Sequence, residues 1–93
     1  MPTAEYSIDK GLIKTLAKMK KKDLSTYRII MKQVDKVLEN PESGKPLRSN
    51  LFGLRRVHIS RSYVLSYTYN REANKVVFLE YEDWDHFYKR YSV

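Results

Sequence analysis

Hydrophobic positions change their period several times along the chain, and each change marks an element. Thr3 to Ile8 alternates, with Ala4, Tyr6 and Ile8 on one side, which predicts a short strand. Asp9 is placed to cap a helix, and Leu12, Ile13, Leu16 and Met19 then recur at helical spacing with lysines between them. Lys20, Lys21 and Lys22 close that helix, where cations suit the negative end of its dipole. Asp23 or Ser25 starts a second helix, striped by Leu24, Tyr27, Ile30, Met31, Val34, Val37 and Leu38 and stopped at Asn40-Pro41. The pair reads as a helical hairpin with one apolar side.

Residues 41–50, "PESGKPLRSN", have the composition of a loop. Three strands are expected after it: about Leu51 to Ile59, Tyr63 to Tyr69, and Lys75 to Tyr81, with a turn over Asn70 to Asn74. Glu82, Asp83 and Asp85 favour a helix start, and Trp84, Phe87, Tyr88 and Tyr91 share one side of that helix. The order is β-α-α-β-β-β-α over a single domain, residues 1–93. Helices and strands are segregated along the chain, so the class is α+β, with the helical hairpin packed on one face of a small antiparallel sheet.

The strand "GLRRVHIS", Gly53 to Ser60, splits by parity. Val57 and Ile59 point one way, and Arg56, His58 and Ser60 the other. Val57, Ile59, Leu65 and Tyr67 should face the helices. Arg56 and His58 would then stand beside Ser66 and Thr68, small side chains that make a low floor and hence a shallow basic groove. Charge sharpens this picture. The net charge is +7, and residues 41–71 carry six Lys or Arg against one acid, the most lopsided part of the chain. Such a patch concentrates anionic partners, nucleic acid among them. The chain has no cysteine, which removes disulfides and thiolate metal sites and fits a reducing cytoplasm. No apolar run approaches the roughly 18 residues of a membrane span, so no membrane partner is expected.

The basic group is Lys45, Arg48, Arg55, Arg56, His58 and Arg61. Its functional reading is phosphate contact and stabilisation of transition-state charge; its plain reading is a solvated sheet face. A neutral imidazole at His58 would suit a general base, or would simply pack on neighbouring strands. His86, beside Asp83 and Asp85, reads as a helix-surface residue. Among eight tyrosines, Tyr63, Tyr67 and Tyr69 read as core or cross-strand residues. Tyr88 is placed to stack on a base or donate a proton at the groove's edge, or else to anchor its helix. There is no Gly-rich phosphate loop, no metal-ligand spacing and no nucleophile elbow. RNA cleavage needs none of these, because the substrate's 2′-hydroxyl can attack the adjacent phosphate and the protein need supply only a base, an acid and cations.

"NPESGKPLRSNLFGLRRVHISRSYVLSYTY" resembles the middle of RelE/ParE-type toxins of prokaryotic type II toxin–antitoxin modules. Members carry a Lys-Pro-Leu-like element, Gly-Leu, a strand of the form Leu-x-Arg-x-Arg, a hairpin, and Tyr-Arg-x-x-Tyr. The matching residues are Lys45, Pro46, Leu47, Gly53, Leu54, Arg56, His58, Tyr63 and Tyr67. "VVFLEYEDWDHFYKR" is similar to the family's last strand and short helix with a late tyrosine, here Tyr88. The resemblance implies a cytoplasmic toxin that cleaves mRNA at the ribosomal A site, needs no cofactor or metal, and is neutralised by an antitoxin. It assigns phosphate binding to Arg56, proton transfer to His58 or Tyr88, and RNA grip to Lys45, Arg48, Arg55 and Arg61. Three positions depart from the pattern. Val64 stands where arginine usually follows the hairpin tyrosine, His58 replaces the second strand arginine, and Glu82 stands where a basic residue often follows the last strand. Since some members poison gyrase without cleaving RNA, a gyrase-binding inhibitor and a catalytically decayed RNA-binding module are the alternatives.

Overall fold

A computed structural model describes residues 4–46 and 53–91. The elements in chain order are β1 (Glu5–Ile8), α1 (Lys10–Lys22), α2 (Leu24–Glu39), β2 (Lys45–Pro46), β3 (Leu54–His58), β4 (Tyr63–Asn70), β5 (Lys75–Asp83) and α3 (Trp84–Tyr91). Thr3 and Leu51, the expected starts of two strands, lie outside the described residues.

Asp9 caps α1, its Oδ2 accepting from the Gly11 N–H at 3.0 Å. Asp23 serves both helices. Its N–H donates to the Met19 carbonyl at the end of α1, and its Oδ1 accepts from the Thr26 N–H at the start of α2. Hydrogen bonding to the Thr26 side chain, and then to the Thr26 N–H, holds its carboxyl below the usual carboxylate range. One residue thus ends one helix and begins the next, which sets the tight turn of the hairpin. The apolar stripes then converge: Leu12 and Leu16 of α1 and Ile30, Val34, Val37 and Leu38 of α2 pack with Ile59, Leu65, Tyr67, Val76 and Phe78 in the main core. Val57 packs against that core and Ile59 lies in it, so the expected inward face of "GLRRVHIS" faces the helices.

The sheet runs β1-β5-β4-β3-β2 and is mixed rather than purely antiparallel. β1 pairs with β5 in parallel, Glu5 opposite Lys75 and Ile8 opposite Phe78. After the helical hairpin the chain enters the sheet at its far edge with β2, and successive antiparallel pairings through β3 and β4 bring β5 back beside β1. β2, inside the expected loop, adds an edge strand: Lys45 pairs with Arg56 and Pro46 with Arg55. An edge is where a sheet tolerates proline. A bulge interrupts the β4–β5 register, with Ser66 opposite Glu80 but Tyr67 opposite Phe78.

Tyr67 ties the 41–46 segment to the core. Its hydroxyl donates to the Pro41 carbonyl at 2.8 Å and accepts from the Gly44 N–H at 2.9 Å. A Cβ on Gly44 would stand 2.2 Å from that oxygen, so only glycine fits there. Burial raises the Tyr67 phenol above its usual pKa.

The second face of the sheet is not the open floor expected. Leu54, Val64 and Ser66 are buried on it, together with Phe87 of α3, as a second and smaller core. The apolar side of α3 requires a cover, the helical hairpin already occupies the first face, and so the helix turns back onto the second.

Candidate functional site

β3 and α3 together build the site. Pairing across the sheet places Lys45, Arg56, Ser66 and Glu80 in one row, and His58, Val64 and Glu82 in the next. Directly paired residues share a face, so both rows lie on the side that α3 covers. The helix follows Asp83, the last residue of β5, whose Oδ1 accepts from the Asp85 N–H at 2.8 Å. The Trp84 N–H donates to the Ser62 carbonyl at 2.6 Å, which pins the helix start to the β3–β4 hairpin.

Trp84 is the hub. The Arg56 guanidinium carbon lies 4.5 Å from its ring centroid, a cation–π contact worth about 0.5–2 kcal/mol according to its desolvation. The His58 ring stands 5.5 Å from the indole and the Tyr88 ring 5.4 Å from it. Arg56, His58 and Tyr88, named separately from the sequence, therefore surround a single indole. Tyr88 is 54% exposed and open to a ligand. Nη1 of Arg56 and Nε2 of His58 are 3.1 Å apart. Arginine cannot accept, so Nε2 is the acceptor, which requires a neutral ring with its proton on Nδ1.

Arg56 is also the most constrained cation in the cluster. Its Nε is buried and finds no hydrogen-bond partner among the described residues. Burial pulls its pKa below the ordinary guanidinium value, though arginine remains charged. A partly buried guanidinium held against an indole is suited to bind a phosphate.

The other sequence candidates fall in three places. Lys45 is exposed beside Arg56 in the same row. Arg61, exposed, borders a cavity of about 150 Å³ with Ser62, Asp83, Trp84 and Asp85, at the Trp84 end of the cluster. Arg55 lies elsewhere. It pairs with Tyr67 on the opposite face, and its Nη1 donates to the Glu42 carbonyl at 2.9 Å and the Gly44 carbonyl at 2.8 Å. Parity separates it from Arg56, and loop carbonyls occupy its guanidinium, so it is not part of this cluster. Arg48 lies outside the described residues. His86 is exposed on α3.

Three parts of the site escaped the sequence. Trp84 read as one more apolar residue in a stripe. Arg90, near the end of α3, reaches β5, its Nη2 2.6 Å from Glu80 Oε2 and also bonded to Glu82 Oε1. Glu82 itself is mostly buried. Desolvation, then the neighbouring Glu80 carboxyl, raise its pKa against the opposing pull of Arg90 and His86. The one available signal was the spacing of eight residues between Glu82 and Arg90, which has no meaning until the chain is known to fold back.

No family model matches the chain. It is 34% identical over 86 residues to a protein of Methanocaldococcus jannaschii named "Putative toxin RelE4", covering 92% of each. It is 36% identical over 74 residues to an uncharacterized protein of Methanosarcina mazei, covering 80% of this chain and 83% of that one. Among solved structures, a metal-bound toxin from Helicobacter pylori superposes with a TM-score of 0.61 at 17% identity, over 89% of this chain and 97% of that one, a likeness of fold. Among the described residues of the present chain, no three His, Asp or Glu side chains converge as a metal site. A 34% identity that runs through nearly the whole of both chains, on a sheet and hairpin that superpose on those of a toxin, places this chain in the family of RelE-like toxins.

Proposed function

We propose that the protein is the toxin of a toxin–antitoxin pair and that it inhibits translation by cleaving mRNA on the ribosome. The observation that carries this reading is the convergence of Arg56, His58 and Tyr88 on the single indole of Trp84. The cluster contains one group for each part of a 2′-hydroxyl attack. His58 Nε2 takes the proton from the ribose 2′-hydroxyl. The 2′-oxygen bonds to the adjacent phosphorus while the bond to the 5′-oxygen breaks, and the 5′-oxygen takes a proton from the Tyr88 phenol. The products are a 2′,3′-cyclic phosphate and a 5′-hydroxyl. Arg56 neutralises the charge that grows on the phosphoryl oxygens.

The Arg56–His58 contact fits this sequence of events. Without substrate, Arg56 occupies the imidazole lone pair. A phosphate draws the guanidinium hydrogens to itself and leaves Nε2 facing the 2′-hydroxyl. Lys45 and Arg61, at two edges of the same face, grip flanking phosphates. A ribosome holding the mRNA in its A site would supply the strand geometry that a small surface cluster on a 93-residue chain cannot impose alone. The setting is cytoplasmic, and the neutralising partner is an antitoxin.

One observation favours a second reading, a non-cleaving RNA-binding module. Val64, at the place of the family's arginine, is fully buried and offers nothing to a substrate. Primer extension on translated mRNA after induction separates the readings. New 5′ ends inside reading frames support cleavage. Growth arrest without new ends supports a gyrase-directed toxin, and neither effect supports the non-cleaving module.

A further inference from the structure

We infer that the ion-pair cluster of Arg90 with Glu80 and Glu82 is a positioning clamp, which seats α3 so that Trp84 lies against Arg56 and His58 with Tyr88 beside it. The inference rests on the reading of that cluster as the reactive site, and it adds three residues that never touch substrate.

The geometry is that of a short helix held at both ends. At its start, the Trp84 N–H is bonded to the Ser62 carbonyl and the indole lies against Arg56 and His58 of β3. Near its end, Arg90 is bonded to Glu80 and Glu82 of β5. Phe87, completely buried between these points, closes the second core with Val64 and Ser66 of β4. The helix thus bridges three strands with one attachment on each. Eight residues make about two turns, too few for a helix to be stable by itself, so its position depends on these attachments. Tyr88 lies between the indole and the clamp, four residues after Trp84 and two before Arg90. A pivot of the helix about its start would move Tyr88 relative to β3.

The composition of the clamp argues for a dedicated role. Two carboxylates on alternate residues of one strand share one face, where like charges repel. Glu82 is mostly buried, an unfavourable place for a carboxylate without a cation. Arg90 answers both, and it comes from the helix rather than from the sheet. Undocking α3 therefore exposes a repulsion that the docked helix relieves.

Trp84 is the only tryptophan in the sequence, so its fluorescence reports the seat without any assay of activity. Arg90→Ala, Arg90→Lys and the isosteric Glu80→Gln/Glu82→Gln double variant are compared with wild type by tryptophan emission, far-UV circular dichroism and single-turnover cleavage of ribosome-bound mRNA. Arg90→Ala should keep the far-UV spectrum of the sheet and hairpin, shift the emission maximum to the red, and lower the single-turnover rate about 10²-fold, the cost of a displacement near 1 Å, while half-saturation changes less than about threefold. Arg90→Lys should restore the emission and most of the rate. If Arg90→Ala fails to fold, the double variant, which removes the charges without removing volume, must show the same red shift and rate loss. Unchanged emission in a folded Arg90→Ala or double variant overturns the clamp. So does a red shift with a full cleavage rate. A wild type that cleaves nothing while the variants still shift their emission overturns the cleavage reading and leaves the clamp standing as a device that seats α3.

Discussion

Arg55 and Arg56 are neighbours in sequence with opposite work, because side chains alternate across a strand. Arg55 is turned to the helical face and holds two carbonyls of the 41–46 segment; Arg56 is turned to α3 and stacks on Trp84. Arg55→Ala should therefore lower stability by about 1.5–3 kcal/mol, the range for hydrogen bonds to a charged group, and leave the cleavage rate per folded molecule within about threefold of wild type. Arg56→Ala should do the reverse. Urea melts and single-turnover rates on the same two preparations decide it. His58→Ala should cost about 10²–10⁴-fold in rate if the imidazole moves the proton, with an unchanged melt as the control. The alternation of "GLRRVHIS" made the faces of Arg56, His58, Val57 and Ile59 legible in the sequence. Grouping Arg55 with Arg56 by charge alone ignored that same alternation, which puts the two on opposite faces.

Among the elements, those whose apolar pattern is self-contained were legible: the hairpin of α1 and α2, the β3–β4 pair, and α3 as a helix. Pairings between distant segments were not. Alternation marks Glu5–Ile8 as a strand but carries no information that its neighbour is β5, near the other end of the chain, or that the two run parallel. β2 has only two residues, one of them proline, and is held by its partners rather than by its own propensity. The α3 stripe required a cover, but nothing in it said which face of the sheet would provide one. Tyr67 links several of these elements and has a pH signature. Its phenol is neutral in the fold and its pKa is raised, so the native state holds its proton to higher pH than the unfolded chain does. Stability should then fall as pH rises past about 10, the ordinary phenol value. Burial raises the Tyr81 phenol as well, and it adds to the same slope. Urea midpoints between pH 8 and 11 should decline in wild type and decline less steeply in Tyr67→Phe. At neutral pH that variant should be about 1–3 kcal/mol less stable, because the Gly44 N–H and Pro41 carbonyl lose their partner. Equal slopes would place the alkaline loss elsewhere.

At the scale of the molecule, charge and architecture point to the same partners. A net charge of +7 and an exposed lysine beside Arg56 favour acidic polymers and acidic proteins. Antitoxin binding led by those charges should weaken as salt rises, with the change mostly in the association rate. A dissociation constant equal at 50 mM and 500 mM salt would assign the interface to apolar contacts instead. The central claim is narrower: the face of β3 that carries Arg56 and His58, completed by Tyr88, cleaves RNA. Its most direct test is the single-turnover rate of mRNA cleavage on programmed ribosomes by wild type and by folded Arg56→Ala. The arrangement predicts cleavage by wild type to a 2′,3′-cyclic phosphate and a 5′-hydroxyl, and a rate about a hundredfold to a thousandfold lower in the variant, the loss expected when a preorganised donor to transition-state charge is removed. An equal rate in the folded variant would contradict it and make that face a solvated surface.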